Sequence, residues 1–341
     1  MQYAQKIQEK LRVEQSQNCS GVIFNEQRIP WLKETHYLVE DYDLDGDAPK
    51  QFIRVYRYIR DGSVRKNKPK TWIPYIAKTG AKWYPHESVI EYLINRIGQV
   101  LGIEMNEVRL YRINDQIRFL SQYFLEQNET LIHGAEICGD YLEDQAFAEE
   151  IANDKTTARE LFTFEFIEEA ILDVFQTHGQ DLLRKLVYIL TFDAIVGNND
   201  RHFYTWAVIR SLSKPGPPPR IAPVYDSSRG LFWNFDEEKI SSFLRQTADP
   251  SFKKFFKYLE NACPRISIES DKAINHFKLI SYLSSYNSDY EKIVISISSD
   301  QNEKKVIQLL DKEFKFLFSE DRYELTKMLL RKRFEIVRSQ V

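Results

Sequence analysis

The period of the hydrophobic pattern changes once along this chain, and that change limits the folds open to it. Between about residues 51 and 126, short segments rich in Arg, Tyr, Val and Ile read as strands at 52–60, 71–78, 108–113 and 117–125, with turns at Asp61-Gly62 and Asn114-Asp115. One amphipathic helix interrupts them. Pro85 and Glu87 mark its start, Val89, Ile90, Leu93, Ile94, Ile97, Val100 and Leu101 share a stripe, and Gly102 ends it. Beyond about residue 140 the pattern is mainly helical, over roughly 157–177, 181–196, 252–261, 271–286, 303–317 and 320–338. Strand-like runs at 206–209 and 221–225 flank a proline-rich excursion. The expected fold is therefore α+β and two-lobed, an antiparallel sheet with one helix followed by a mainly helical lobe, with a cleft between them. Residues 1–50, with a short helix expected near the N-terminus, read as an extension, 51–126 as the first lobe and 127–341 as the second.

A chain of 341 residues, 43% hydrophobic, can bury a sizeable core. Its net charge of −3 comes from mixed signs, so no global field calls for nucleic acid or an anionic membrane as an obligatory partner. Cys19, Cys138 and Cys263 are far apart and lack Cys-x-x-Cys spacing, which argues against a disulfide framework or a zinc ribbon. No stretch approaches about 18 uncharged apolar residues, and the N-terminus has no signal-peptide core. A cytoplasmic protein without a membrane span is expected, with signal-independent export left open. Asp41, Asp43, Asp45 and Gly46 imitate the start of a calcium loop, but Pro49 and Phe52 stand where later ligands belong, so a solvated acidic loop is expected.

The chemistry concentrates in two segments. Gly197-Asn198-Asn199-Asp200-Arg201-His202 follows an apolar helix, and Ala222-Pro223-Val224-Tyr225-Asp226 ends a strand. Phosphoryl transfer needs few parts: a carboxylate for the acceptor hydroxyl, oxygen ligands for magnesium and a cation for the phosphates. Asp200 fits the first part and Asp226 the second, while Arg201 and His202 either hold their loop or touch phosphate. Lys78, at a strand end, fits the third, and Glu87 at the next helix start is its expected ion-pair partner. Taken singly, Asp200 reads as a turn residue and Lys78 with Glu87 as a surface pair; their order, spacing and lobe context favour a site.

In these segments, residues 192–202 and 221–226, the chain resembles the HipA-like serine/threonine protein kinases, over roughly residues 50–338. The resemblance implies ATP with magnesium or manganese as cofactors, Asp200 as the catalytic base, Asp226 as a magnesium ligand and Lys78, paired with Glu87, as the ATP-binding lysine. It also implies a hinge around adenine at Gln122, Tyr123, Phe124 and Leu125, followed by a related segment at 132–136. Two positions depart from the family pattern. Thr205 stands where an asparagine normally binds the second metal, and the phosphate-covering loop is reduced to Gly62-Ser63 before Arg65 and Lys66. Gly62-Ser63 reads equally as a solvated hairpin turn, and Ser63 is, by analogy, a candidate autophosphorylation site. Family members often act as toxins, which implies a protein substrate and an antitoxin partner. Two alternatives stand beside the kinase: a nucleotide-binding pseudokinase or regulatory interaction protein, suggested by Thr205, and, lower, a phosphoinositide-type lipid kinase. The latter is suggested by the Asp-Arg-His loop and the basic run Arg57, Arg60, Arg65, Lys66, Lys68 and Lys70.

Overall fold

The computed structural model describes residues 23, 25–41, 50–79, 86–113, 116–247 and 253–341. The expected N-terminal helix, Cys19, most of the acidic stretch, Pro85 and the turn at Asn114-Asp115 lie outside these residues. The first lobe is a five-stranded antiparallel sheet of order β1-β2-β3-β5-β4. Its strands are β1 (Tyr37–Glu40), β2 (Lys50–Val55), β3 (Ile73–Thr79), β4 (Val108–Ile113) and β5 (Gln116–Gln122), with helix α1 (Glu87–Val100) between β3 and β4.

Strand alternation gives the sheet two apolar faces. Ile117 and Phe119 of β5 join Val89, Ile90, Leu93, Ile94 and Ile97 of α1 in the main core. Ile53, Val55, Tyr75, Ala77 and Leu120 form a second cluster on the opposite face. Lys78 lies between Ala77 and Thr79 and pairs in register with Phe119, so it projects toward α1.

The sheet starts earlier than the pattern suggests, at Tyr37, within the stretch read as an extension. It also departs from the expected hairpin: β2 stops at Val55, and residues 56–72 form a loop in which the Trp72 indole donates to the Arg65 carbonyl (2.9 Å).

The second lobe begins with β6 (Glu129–His133) and the short helices α2 (Gly134–Leu142), α3 (Gln145–Asn153) and α4 (Lys155–Leu161). The helix expected over 157–177 is split, because the Thr163 hydroxyl accepts from Phe166 N (3.3 Å) and caps a separate helix α5 (Phe164–Phe175). Helix α6 (Gly179–Val196) is buried on nearly all sides in its second half, so other helices pack around it. Strands β7 (Ala207–Ser211) and β8 (Arg220–Ile221) complete a small sheet with β6. Then follow α7 (Glu237–Thr247), α8 (Lys253–Glu260), α9 (His276–Tyr286), α10 (Ser288–Ile297), α11 (Asp300–Leu309) and α12 (Glu320–Arg338). Gly197 ends α6 at φ +69°, a left-handed turn that redirects the chain into the loop carrying Asp200.

Candidate active site

Helix α6 delivers its last turn to a loop fastened on three sides. Asn198, fully buried, donates to Asp193 Oδ1 (3.0 Å) and accepts from Asp200 N (3.2 Å), while its carbonyl meets His276 Nε2 (2.8 Å). Asn199 accepts from Cys263 N (3.0 Å) and donates its N–H to the Arg229 carbonyl (3.1 Å). Asp200 is thereby presented on a rigid support, its side chain 30% exposed. Its Oδ1 accepts from Arg265 Nη2 (2.6 Å), and Arg229 Nε stands 3.9 Å from Oδ2.

Arg201 holds the loop. Its side chain is 1% exposed and forks onto Asp193 through Nε (2.9 Å) and Nη2 (3.0 Å). It also donates to the Thr205 carbonyl (2.9 Å), the Tyr225 carbonyl (3.1 Å) and Ser227 Oγ (2.7 Å). The loop carrying Asp200 and the segment carrying Asp226 are therefore tied by one guanidinium, and the alternative of Arg201 on phosphate is left without a free donor. His202 accepts the Tyr204 N–H at Nδ1 (3.2 Å), and burial lowers its pKa below the ordinary histidine value. The Thr205 hydroxyl, on a residue 4% exposed, faces the carbonyls of Asp200 (3.2 Å) and His202 (2.9 Å) in its own loop.

Asp226 is placed by backbone pairing between the lobes. Val224 N donates to the Glu104 carbonyl (2.7 Å), and Asn106 N donates to the Val224 carbonyl (3.0 Å). Asn106 fixes that junction to the first lobe by donating to Ser121 Oγ and the Gln122 carbonyl, both at 2.8 Å. Two residues on, Asp226 adopts φ +52°, a left-handed conformation that aspartate tolerates better than most residues, and its carboxylate is 52% exposed.

Lys78 joins the two lobes, donating to Asp226 Oδ1 (2.8 Å) and Glu91 Oε1 (2.9 Å). The expected partner Glu87 lies one helical turn earlier, 3.9 Å from Arg229 and 3.4 Å from Ser228 Oγ. Both glutamates occupy the same face of α1, and the position of Lys78 opposite Phe119 brings it under the second.

Burial alone would depress the Lys78 ammonium, but the Asp226 and Glu91 carboxylates outweigh it and raise its pKa. The Lys78 charge holds Asp226 down at about 2. Burial pushes Glu91 up to about 7, with Lys78 opposing.

That shift predicts a pH effect. Between the ordinary value of 4.5 and about 7 the folded protein binds a proton at Glu91 that the unfolded chain has lost, so this group's contribution to stability falls as pH rises through that window. Glu91→Gln removes this titrating group. Thermal melts from pH 5 to 8 should show the variant gaining on the wild type with rising pH, by on the order of 1–3 kcal/mol. Parallel curves would contradict the assignment.

The segment expected as the hinge directly follows β5. Tyr123 N donates to the Pro74 carbonyl (3.0 Å), the Phe124 ring lies 5.8 Å from that of Tyr225, and Phe124 and Leu125 pack with Ala207, Ile209 and Ala222.

Gly62 and Ser63 are not brought to the site. Lys50 stands opposite Lys78, whereas residues 56–72 join the other ends of β2 and β3, about 17 Å along the strands. There Gly62 takes φ +73° and Ser63 N donates to Asp61 Oδ1 (2.8 Å) in a solvent-exposed turn. The connection between β1 and β2 lies at the Lys78 end, and only its Asp41 is among the described residues.

The arrangement presents one carboxylate flanked by guanidiniums and a second held ionised by an ammonium, at the junction of the lobes. Among the described residues no three His, Cys, Asp or Glu side chains converge as a preformed metal cage. Asp226 nevertheless fits magnesium, a hard cation that typically takes one or two carboxylates and completes its shell with phosphates and water.

The model of the HipA-like C-terminal domain matches residues 42–279. Two solved structures are similar in fold. The Helicobacter pylori proinflammatory kinase CtkA superposes with a TM-score of 0.64 at 16% identity, covering 84% of this chain and 93% of that one. A chain from the Shewanella oneidensis MR-1 toxin–antitoxin complex of HipA, HipB and operator DNA gives 0.51 at 12% identity, covering 78% of this chain and 58% of that one. No curated protein sequence matches the chain significantly. A family match over more than half of the residues, on a fold shared with CtkA, shows that the chain belongs to the HipA-like C-terminal domain family.

Proposed function

We propose that the chain is an ATP- and magnesium-dependent kinase that phosphorylates serine or threonine hydroxyls of a protein. The observation carrying this reading is Lys78 bridging Glu91 and Asp226 across the lobes while Asp200 stands on the loop that Arg201 ties to the same segment. Kinase-type relatives in fold support it. Asp226 would hold magnesium, which supplies charge neutralisation between the phosphates. Lys78, with Glu91 behind it, directs its ammonium to the phosphates. Asp200 Oδ1 is taken by Arg265, leaving Oδ2 to accept the proton of the acceptor hydroxyl. As that proton leaves, the acceptor oxygen bonds to the γ-phosphorus, and the bond to the bridging oxygen breaks with its electron pair passing to ADP. Tyr123, Phe124 and Leu125 line the hinge side of the cleft in this proposal.

Incubation of the folded protein with labelled ATP and magnesium or manganese should transfer phosphate to itself or to a lysate protein; transfer to neither rejects the reading. Ser63, exposed in the β2–β3 loop, is the candidate acceptor within the chain, detectable by mass spectrometry. A HipB-like antitoxin is the partner suggested by the complex of the Shewanella relative. Cytoplasmic action belongs to the same proposal, and no helix among the described residues is long and apolar enough to cross a membrane.

One observation favours a nucleotide-binding protein without turnover: the Thr205 hydroxyl is turned to the carbonyls of its own loop. Thr205→Asn distinguishes the two. If the missing amide limits activity, the variant should transfer phosphate about tenfold or more faster than the wild type in the same assay.

A further inference from the structure

On the kinase reading, the transferred phosphoryl group requires positive charge beside Asp200, and the loop itself carries two candidates, Arg201 and His202. Neither supplies it. Arg201 is buried with its guanidinium distributed over Asp193, two carbonyls and Ser227. His202 accepts a backbone N–H at Nδ1, which is the geometry of a neutral ring. Thr205 brings no charge, and its hydroxyl faces inward.

Two guanidiniums from outside the loop face Asp200 instead. Arg229 is stacked on Trp233 at 3.9 Å and lies 3.9 Å from both Glu87 and Asp200, so it is held back from direct contact. Arg265 comes from the irregular segment after α8, which is pinned to the loop by the bond from Cys263 N to Asn199. It donates through Nε to the Asn199 carbonyl (3.2 Å) and through Nη2 to Asp200 (2.6 Å). Its Nη1 makes no hydrogen bond among the described residues, and the side chain remains partly exposed.

We propose that Arg265 is a catalytic residue, a guanidinium 65 residues downstream of Asp200 that contacts the γ-phosphoryl group of bound ATP and supplies the charge that Arg201, His202 and Thr205 do not. A planar fork suits that role, because one edge stays on the loop and orients the other toward a phosphate oxygen. The inference rests on the kinase reading, and nucleotide binding separates the two.

Calorimetry with magnesium should give a wild-type affinity for ATP that falls about tenfold in Arg265→Gln, while ADP, which lacks the contacted group, binds within about twofold of wild type. Arg265→Lys should recover part of the ATP affinity, and phosphate transfer by Arg265→Gln should drop about a hundredfold or more. A wild type that binds ATP with the Gln variant weakening ATP and ADP equally, or neither, overturns the role of Arg265 and leaves the kinase reading standing. A wild type that binds no ATP overturns both.

Discussion

Asp200→Asn should lower phosphate transfer by about 10²–10⁴-fold, the range that a positioned general base contributes, with ATP binding retained. The substitution keeps the size of the side chain and removes only its charge and its capacity to take a proton. Because the Asp200 side chain is 30% exposed and Arg265 and Arg229 both reach solvent, the guanidiniums left behind can be hydrated, and the fold should hold. Asparagine can still accept from Arg265 through its carbonyl oxygen, so the loop geometry survives. This separates a base from a turn residue: a turn residue would tolerate asparagine, which suits such turns at least as well. Transfer above a tenth of the wild-type rate, measured with labelled ATP on protein of unchanged melting temperature, would remove Asp200 from the mechanism. Tighter ATP binding in the variant is also expected, because one negative charge near the phosphates is gone.

What could be read from the sequence follows from which interactions are local. Helix α1 shows its stripe because its buried apolar residues, Val89, Ile90, Leu93, Ile94 and Ile97, recur at helical spacing, and Lys78 is legible as the end of an alternating strand. The choice of Glu91 over Glu87 is a long-range matter, decided by the register that sets Lys78 opposite Phe119. Strand β1 hides because Leu38 and Val39 are both exposed on an edge, so it lacks the alternation that marks a half-buried strand. Helix α3 is equally faint, with only Ala148, Ile151 and Ala152 buried. Arg265 leaves no sequence signal, since its relation to Asp200 exists only after α8 and the segment behind it fold over the loop. One signal was available. Asp193 sits in the most apolar stretch of α6, and a carboxylate buried there demands a cation, which points to Arg201 as a structural residue.

That pair carries the largest expected stability effect. Arg201→Ala leaves Asp193, fully buried, without its counter-charge, a loss of about 3–5 kcal/mol for breaking a buried pair from one side. It also strips donors from the carbonyls of Thr205 and Tyr225 and from Ser227. Urea unfolding should show a lower midpoint. Arg201→Lys should rescue little, because one ammonium cannot reproduce a planar fork that serves four residues at fixed angles. Pairing Arg201→Met with Asp193→Leu removes both charges and should recover part of the stability, though not all, since Asn198 Nδ2 then loses its acceptor on Asp193. The double variant should remain poorly active even where it is folded: Asp200 and Asp226 are intact, but the guanidinium that couples their segments is gone. Wild-type activity in that variant would show that Arg201 stabilises the fold without setting the geometry between the two carboxylates.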